Sequence, residues 1–372
     1  MKRLSLLVLI STIWGCTEER SSVQKYQVSF SEEISLDIGE VGMSSQVPFS
    51  ISPVDRAQKS FLIFNEFYRR LDSVSFSDKN IWILPGRELP VEGPGSIPNF
   101  RHFTFVKDRV VFINSNDIYF VEDENTVDLN ITRELDNGLG ELKSINGADG
   151  RNNTFQAASP DADFLAFIIK DVRTGKFSLV KYDFNDFEEV PFLFDMDQML
   201  NHRISFEKGP MTVSNSYAPY LTVFDSTIII SYPFFNKISK VNLNSQKQSD
   251  FLYESELFKK QKDLPEKTYG FKDMAEYSEV GSKWNNDVYY GSIFRLDDNL
   301  MYRMVFENQM SNKVFLELFD NTFEKIGEFD LTEIEPDLKS FHLTVEGKIL
   351  IQSSKDQDED IFKYYLISVD PI

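Results

Sequence analysis

The chain has 372 residues, and its 59 Asp+Glu against 39 Lys+Arg give a formal net charge of −20. A surface so acidic repels phosphate backbones and anionic headgroups, so neither nucleic acid nor anionic lipid headgroups are expected as direct partners. Apolar residues at 41% can fill a large core, and 34 Phe with 15 Tyr suit strands more than helices.

The chain starts Met1-Lys2-Arg3, and Leu4 to Trp14 follows without a charge. A basic start and a short apolar run are the layout of a secretory signal, too short for a spanning helix of ~20 residues. The run ends at Gly15-Cys16, which resembles the bacterial lipobox, where cleavage precedes an acylated cysteine. Ile13 fits its apolar position; Trp14 replaces the usual small residue. Cys16 is the only cysteine, so no internal disulfide can form. The expectation is a signal peptide over residues 1–15, lipidation at Cys16, a tether over 16–24 and a folded domain over 25–372. The chain is then held at a membrane through its lipid. Thr17-Glu18-Glu19 resembles the acidic export tags of surface lipoproteins in Bacteroidota.

Beyond the tether the strand signals come in groups. Tyr26 to Phe30 and Ile34 to Ile38 stand alone, and Phe61-Leu-Ile-Phe64 opens a series. Phe103 to Val106, Arg109 to Ile113, Ile118 to Val121 and Val127 to Ile131 make one full unit, each strand parted from the next by a tight polar turn. The same grammar returns at Phe164 to Tyr182, at Thr227 to Leu243, at Leu300 to Phe319 and at Lys348 to Val369. Second strands of six units begin at Phe61, Arg109, Phe164, Thr227, Leu300 and Lys348. A period of roughly 50–70 residues predicts an all-β, six-bladed β-propeller, with length to spare for a seventh blade. The last unit lacks its fourth strand while two N-terminal strands lack partners. An N-terminal strand that completes the last blade would close the ring. Two β-sandwiches in tandem are the competing architecture.

The repeat is interrupted. Glu134 to Thr154 reads as a long loop, Phe194 to Asn201 and Tyr253 to Lys262 as short helical turns, and Gln261 to Lys283 as a charged connector. Loops of this length in a compact domain tend to carry function.

Glu92-Gly-Pro-Gly-Ser-Ile-Pro-Asn-Phe100, followed by Phe105-Val-Lys-Asp-Arg-Val-Val-Phe112, resembles the Bacteroidota lipoproteins of unknown function with TolB-like six-bladed propellers. Tyr289 to Phe306, with Leu296-Asp-Asp298 between two strands, is similar to their penultimate blade. The resemblance implies the propeller fold and an envelope location. It implies no catalytic residue.

Chemistry-bearing residues are sparse. His102, His202 and His342 fall in different units and are expected to be structural. No His-Glu-x-x-His, Gly-x-Ser-x-Gly or phosphate-cradling loop occurs, and no catalytic residue or cofactor is expected. Asp297-Asp298 and Glu188-Glu189 are the densest carboxylate couples near strand ends, and a solvated turn accounts for each. Asp356, Asp358 and Asp360 alternate in Lys355-Asp-Gln-Asp-Glu-Asp360, as oxygen ligands in calcium loops do. The run lacks the central glycine and the bidentate glutamate of an EF-hand, so it is a hairpin loop first and a metal site second.

These features predict a lipid-anchored module of the cell envelope, at the periplasmic or surface side of the outer membrane. It would bind a polysaccharide, a peptide or another envelope protein. An envelope hydrolase or lyase with carboxylates in the central channel is the alternative.

Overall fold

The computed structural model describes residues 25–37, 51–55, 58–65, 67–77, 81–100, 102–114, 116–122, 125–134, 140–145, 163–216, 218–307, 313–355 and 361–372. Two strands, β1 (Tyr26–Phe30) and β2 (Ile34–Asp37), come before the first blade. Blade 1 is β3 (Ile51–Pro53), β4 (Ser60–Asn65), β5 (Arg70–Phe76) and β6 (Ile81–Glu88). Blade 2 is β7 (His102–Val106), β8 (Arg109–Asn114), β9 (Asp117–Glu122) and β10 (Asn125–Asn130), with one helical turn, α1 (Ile131–Glu134), after it. Blade 3 is β11 (Gly140–Ile145), β12 (Leu165–Asp171), β13 (Phe177–Tyr182) and β14 (Phe187–Val190). Then come α2 (Met196–Asn201) and a two-stranded hairpin, β15 (Arg203–Lys208) and β16 (Met211–Ser216). Blade 4 is β17 (Tyr220–Phe224), β18 (Thr227–Ser231), β19 (Lys237–Asn242) and β20 (Lys247–Leu252). Helix α3 (Met274–Asn285) leads to blade 5, made of β21 (Tyr289–Arg295), β22 (Leu300–Glu307), β23 (Lys313–Asp320) and β24 (Lys325–Asp330). Blade 6 is β25 (Leu338–Val345), β26 (Lys348–Ser353) and β27 (Ile361–Pro371), and its outer strand comes from the N-terminus.

The molecule is a six-bladed β-propeller, and the N-terminal strand closes it. β27 pairs antiparallel with β1 from Tyr26↔Pro371 to Phe30↔Ile367 and with β2 from Ile34↔Tyr364 to Asp37↔Ile361. Between the two, Ser31 N–H donates to the Leu366 carbonyl at 2.8 Å, and Ser31 Oγ accepts from Leu366 N–H at 2.9 Å. One long C-terminal strand thus carries both N-terminal pieces. All six second strands predicted from the sequence are second strands of blades.

The second strands were legible because neighbouring blades cover both their faces. A strand covered on both sides reads as a continuous apolar run, as in Leu165-Ala-Phe-Ile-Ile169 and Ile228-Ile-Ile230. Every pair of adjacent blades shares a buried cluster. Phe103 and Phe112 meet Leu71 between blades 1 and 2, and Val111 and Ile113 meet Leu165 and Phe167 between blades 2 and 3. Across the closing seam, Ile34, Leu36, Leu350 and Tyr364 pack against Ile51, Phe61 and Val74. First strands touch between blades 1 and 2 and from blade 3 through blade 6, which makes the first strands the inner ones.

Four expectations need correction. The expected loop Glu134 to Thr154 contains β11, the inner strand of blade 3. Tyr253 to Lys262 forms no helical turn; it lies bent along blade 4 and pairs with it through a bridge between Phe235 and Gln261. The connector Gln261 to Lys283 holds most of α3, capped by Asp273, whose Oδ1 accepts from Glu276 N–H at 2.9 Å. The spare length makes no seventh blade: the extra strands among the described residues, β15 and β16, form a hairpin alone.

Candidate binding face

Strands alternate in direction within a blade, so connections from second to third strands, and from each fourth strand to the next blade, leave from one face. That face receives both insertions around blade 4. The first is α2 with the β15–β16 hairpin; the second is the segment from Tyr253 to Val288. They assemble into one cap. Ser205 N–H donates to the Thr268 carbonyl at 2.8 Å, and Asn215 Nδ2 donates to Asn285 Oδ1 at 3.2 Å. Gly281 lets α3 lie close on the hairpin, because a Cβ there would stand 3.1 Å from Ile204 Cδ1. Ile204, Phe206, Tyr277 and Trp284 then join the core cluster of blades 3 and 4.

Buried polar groups pin the cap to blade 4. Lys262 N–H donates to the Phe234 carbonyl, and Asn236 N–H to that of Lys260, each at 2.9 Å. The buried Lys262 ammonium donates to the carbonyls of Asp287 and Val288 at 3.3 and 3.4 Å and lies 5.5 Å from the Trp284 ring centre. His202 stacks on Phe234 at 4.4 Å with Nδ1 2.7 Å from the Gln198 carbonyl, and burial lowers its proton affinity. Its Nε2 stands 3.3 Å from the Lys262 carbonyl, so both ring nitrogens face backbone carbonyls.

Two open grooves cross the cap. One, of about 500 Å³, runs between α3 and the connector before it. Its charges are satisfied within the protein: Lys259 pairs with Asp263 at 2.6 Å and Asp287 at 3.2 Å, and Lys283 pairs with Glu266. The other, of about 730 Å³, lies between β15 and the segment Thr268 to Phe271. Asn201, Arg203, Ser205 and Glu207 line it at alternate positions, while Ile204 and Phe206 turn into the core. Tyr269 stands opposite them, 77% exposed.

Two further polar features belong to the frame. Arg303 on β22 and Glu317 on β23 form a wholly buried ion pair. Each inner strand also carries a hydroxyl residue: Ser52, Thr104, Ser144, Thr222, Ser292 and Thr344. Ser52 Oγ accepts from Phe105 N–H at 2.9 Å, and Thr222 Oγ1 donates to the Ile293 carbonyl at 3.0 Å. Phe105 and Ile293 each follow the hydroxyl residue of their own strand, so one stitch recurs between inner strands that share no ladder.

Cys16, Asp356, Asp358 and Asp360 lie outside the described residues. Asp297 caps the β21–β22 turn, its Oδ1 accepting from Asn299 and Leu300 N–H at 2.7 and 2.8 Å. Glu188 and Glu189 are exposed on the outer strand β14. The two couples sit in blades 5 and 3 and do not converge. His342 is buried on β25 with Nδ1 2.7 Å from the Ser340 carbonyl. His102 begins β7, an inner strand. The groove residues Arg203 and Tyr269 were not foreseen; the alternation of polar and apolar residues from Asn201 to Glu207 was the available signal.

No family model and no curated protein matches the chain. Solved structures do. A member of the DUF4221 family from Bacteroides vulgatus superposes with a TM-score of 0.60 at 11% identity, covering 94% of this chain and 100% of the other. A candidate exported protein from Bacteroides fragilis gives a TM-score of 0.44 at 10% identity, covering 93% and 95%. The Nup133 β-propeller domain of Vanderwaltozyma polyspora gives 0.41 at 10% identity, covering 93% and 97%. At these identities the first likeness shows the fold, a propeller shared over nearly the whole length of both chains.

Proposed function

We propose that the protein is a lipid-anchored propeller of the bacterial cell envelope that works as a binding module through its capped face. The carrying observation is the placement of the insertions. Both large departures from the repeat leave the same face, fold onto each other and leave two open grooves above a rigid frame. Recognition surfaces are commonly built this way, from loops positioned by a scaffold. The anchor rests on the basic start, the short apolar run and Gly15-Cys16. The ligand classes that suit such a module are a polysaccharide, a peptide or another envelope protein.

The competing hydrolase reading needs two carboxylates across one cleft. The described inner strands place one, Glu141, and it pairs with Lys143.

A photo-crosslinking residue at Tyr269 tests the face, with the same residue at Asp297 as the opposite-face control. In cells of the native envelope, Tyr269 is expected to give discrete adducts and Asp297 none. Adducts from Asp297 alone would overturn the assignment. For the anchor, intact mass should show diacylglycerol on the mature N-terminus and none on Cys16→Ala. A diacylated Cys16→Ala chain would refute it.

A further inference from the structure

We propose that the groove between β15 and the Thr268 to Phe271 segment binds a saccharide carrying one carboxylate, the carboxylate on Arg203 and a sugar ring against Tyr269. This rests on reading the capped face as a binding surface and adds the ligand class.

Charge comes first. Carboxylates outnumber cations 59 to 39 in this chain, and the neighbouring groove neutralises its own lysines. Arg203, half-buried at the head of β15, has no hydrogen bond or ion pair through its guanidinium among the described residues. Two further cations stand within electrostatic reach on blade 3. Lys170 on β12 holds its proton less firmly than usual because of burial, then because of Lys143 and Arg203, with Glu141 opposing. With Glu141 and the groove's own Glu207 counted, three cations stand against two carboxylates, which leaves a net positive charge here on a strongly negative molecule. A planar guanidinium fits a carboxylate with two parallel hydrogen bonds.

Shape and polarity narrow the class. The volume of about 730 Å³ lies in the range of small-ligand sites. Apart from Tyr269 and the mostly buried Phe271, the lining is polar. Asn201, Ser205, Thr268 and Glu207 offer amide, hydroxyl and carboxylate partners for sugar hydroxyls. Tyr269 is held for stacking: Thr268 is tied to Ser205, and Phe271 is anchored against Tyr277 with ring centres 5.3 Å apart. An aromatic ring with an apolar face and a polar tip suits the C–H face of a sugar. Glu207 sets a limit. It lies four residues along β15 from Arg203, about 13 Å at the rise of a strand. A ligand with a carboxylate on every ring would meet it, so the preferred one places a neutral sugar there.

The test uses the folded chain from residue 17 and three probes: glucuronosyl-xylobiose, the same trisaccharide with its carboxylate reduced to the alcohol, and the peptide Gly-Asp-Gly-Gly. By calorimetry the acidic sugar should bind about tenfold more tightly than the reduced one. Arg203→Gln should remove that difference, and Tyr269→Ala should weaken both sugars. Both side chains reach solvent, so unchanged melting temperatures will show that the variants are folded. Equal binding of the two sugars, no binding of either at millimolar concentration, or no effect of Arg203→Gln overturns the proposal. So does peptide binding as tight as the acidic sugar, since the groove would then read charge alone. If the sugars fail while adducts at Tyr269 persist, the ligand class falls and the binding face stands; if both fail, both fall.

Discussion

Arg303 Nε donates to Glu317 Oε2 at 2.9 Å across β22 and β23, with both side chains fully buried. The guanidinium also reaches Asn236 Oδ1 on blade 4, and Asn236 Nδ2 donates to Glu317 Oε1 at 3.1 Å. The rings of Tyr290, Phe319 and Tyr253 surround it at 5.2, 5.5 and 5.9 Å. Removing one partner strands a charge in that enclosure. Glu317→Gln is expected to cost about 3–5 kcal/mol in urea unfolding. The triple change Arg303→Met, Glu317→Leu and Asn236→Leu should recover most of the loss, because a packed apolar cluster needs no counter-ion and leaves no buried amide without partners. A Glu317→Gln chain as stable as the parent would show that the pair contributes nothing.

His342 sets an acid limit. Its ring lies among Phe294, Tyr302 and Phe306, its Nε2 has no hydrogen-bond partner among the described residues, and burial pushes its pKa down to about 4 from 6.5. The unfolded chain therefore binds the proton more readily than the folded one. This contribution to stability is complete above pH 6.5 and is lost as pH falls toward 4, by about 3 kcal/mol in all. Burial lowers His202 as well, with the same sign. The melting-temperature gap between the parent and His342→Leu should shrink or reverse from pH 7.5 to pH 4.5. A constant gap would mean that the ring does not titrate in this window.

What could be read from the sequence follows from how each segment is buried. The strand Lys348-Ile-Leu-Ile351 was plain because apolar neighbours cover both faces. β11 was hidden because Gly140-Glu-Leu-Lys-Ser-Ile145 pairs on one edge only, sits in a Gly- and Asn-rich stretch and breaks register between Leu142 and Ser144. α3 was hidden because its buried stripe is Tyr277, Gly281 and Trp284, with a glycine where an apolar side chain would signal. Its Asp273–Glu276 cap was the signal to use. The alternation from Asn201 to Glu207 marked one wall of the groove, but the groove itself could not be read, since Arg203 and Tyr269 come to line it only when two insertions fold together.

Ring closure depends on a few N-terminal side chains. Ile34 and Leu36 are buried in the seam between blades 6 and 1, and each contributes about 1.5–3 kcal/mol by burial. Deleting Val23 to Ile38 also bares the edge of the eleven-residue β27. The deletion should lower the melting temperature by more than about 10 °C, and Leu36→Ala alone should cost about 2–5 kcal/mol. A deletion chain that melts within a degree or two of the parent would show that the strand is dispensable.

The acidic run Lys355 to Asp360 is the last case, and it is expected to be a weak calcium site at best. Asp356, Asp358 and Asp360 alternate, so an extended segment would turn three carboxylates to one side, where they repel one another. A bound calcium would relieve that repulsion and stabilise the fold by RT ln(1 + [Ca]/Kd), about 2.7 kcal/mol at a hundredfold excess. Tight calcium loops add a glycine for the turn and a bidentate glutamate at the end. Here Glu359 falls between the aspartates, so any site would have an affinity of only about 0.1–1 mM. At 1 mM calcium the gain is then at most about 1.4 kcal/mol. A site of that strength would raise the melting temperature by no more than a few degrees, and the loop read as a plain hairpin should show no rise beyond that with sodium chloride of equal ionic strength. A rise of several degrees that Asp358→Asn abolishes would make the loop a metal site.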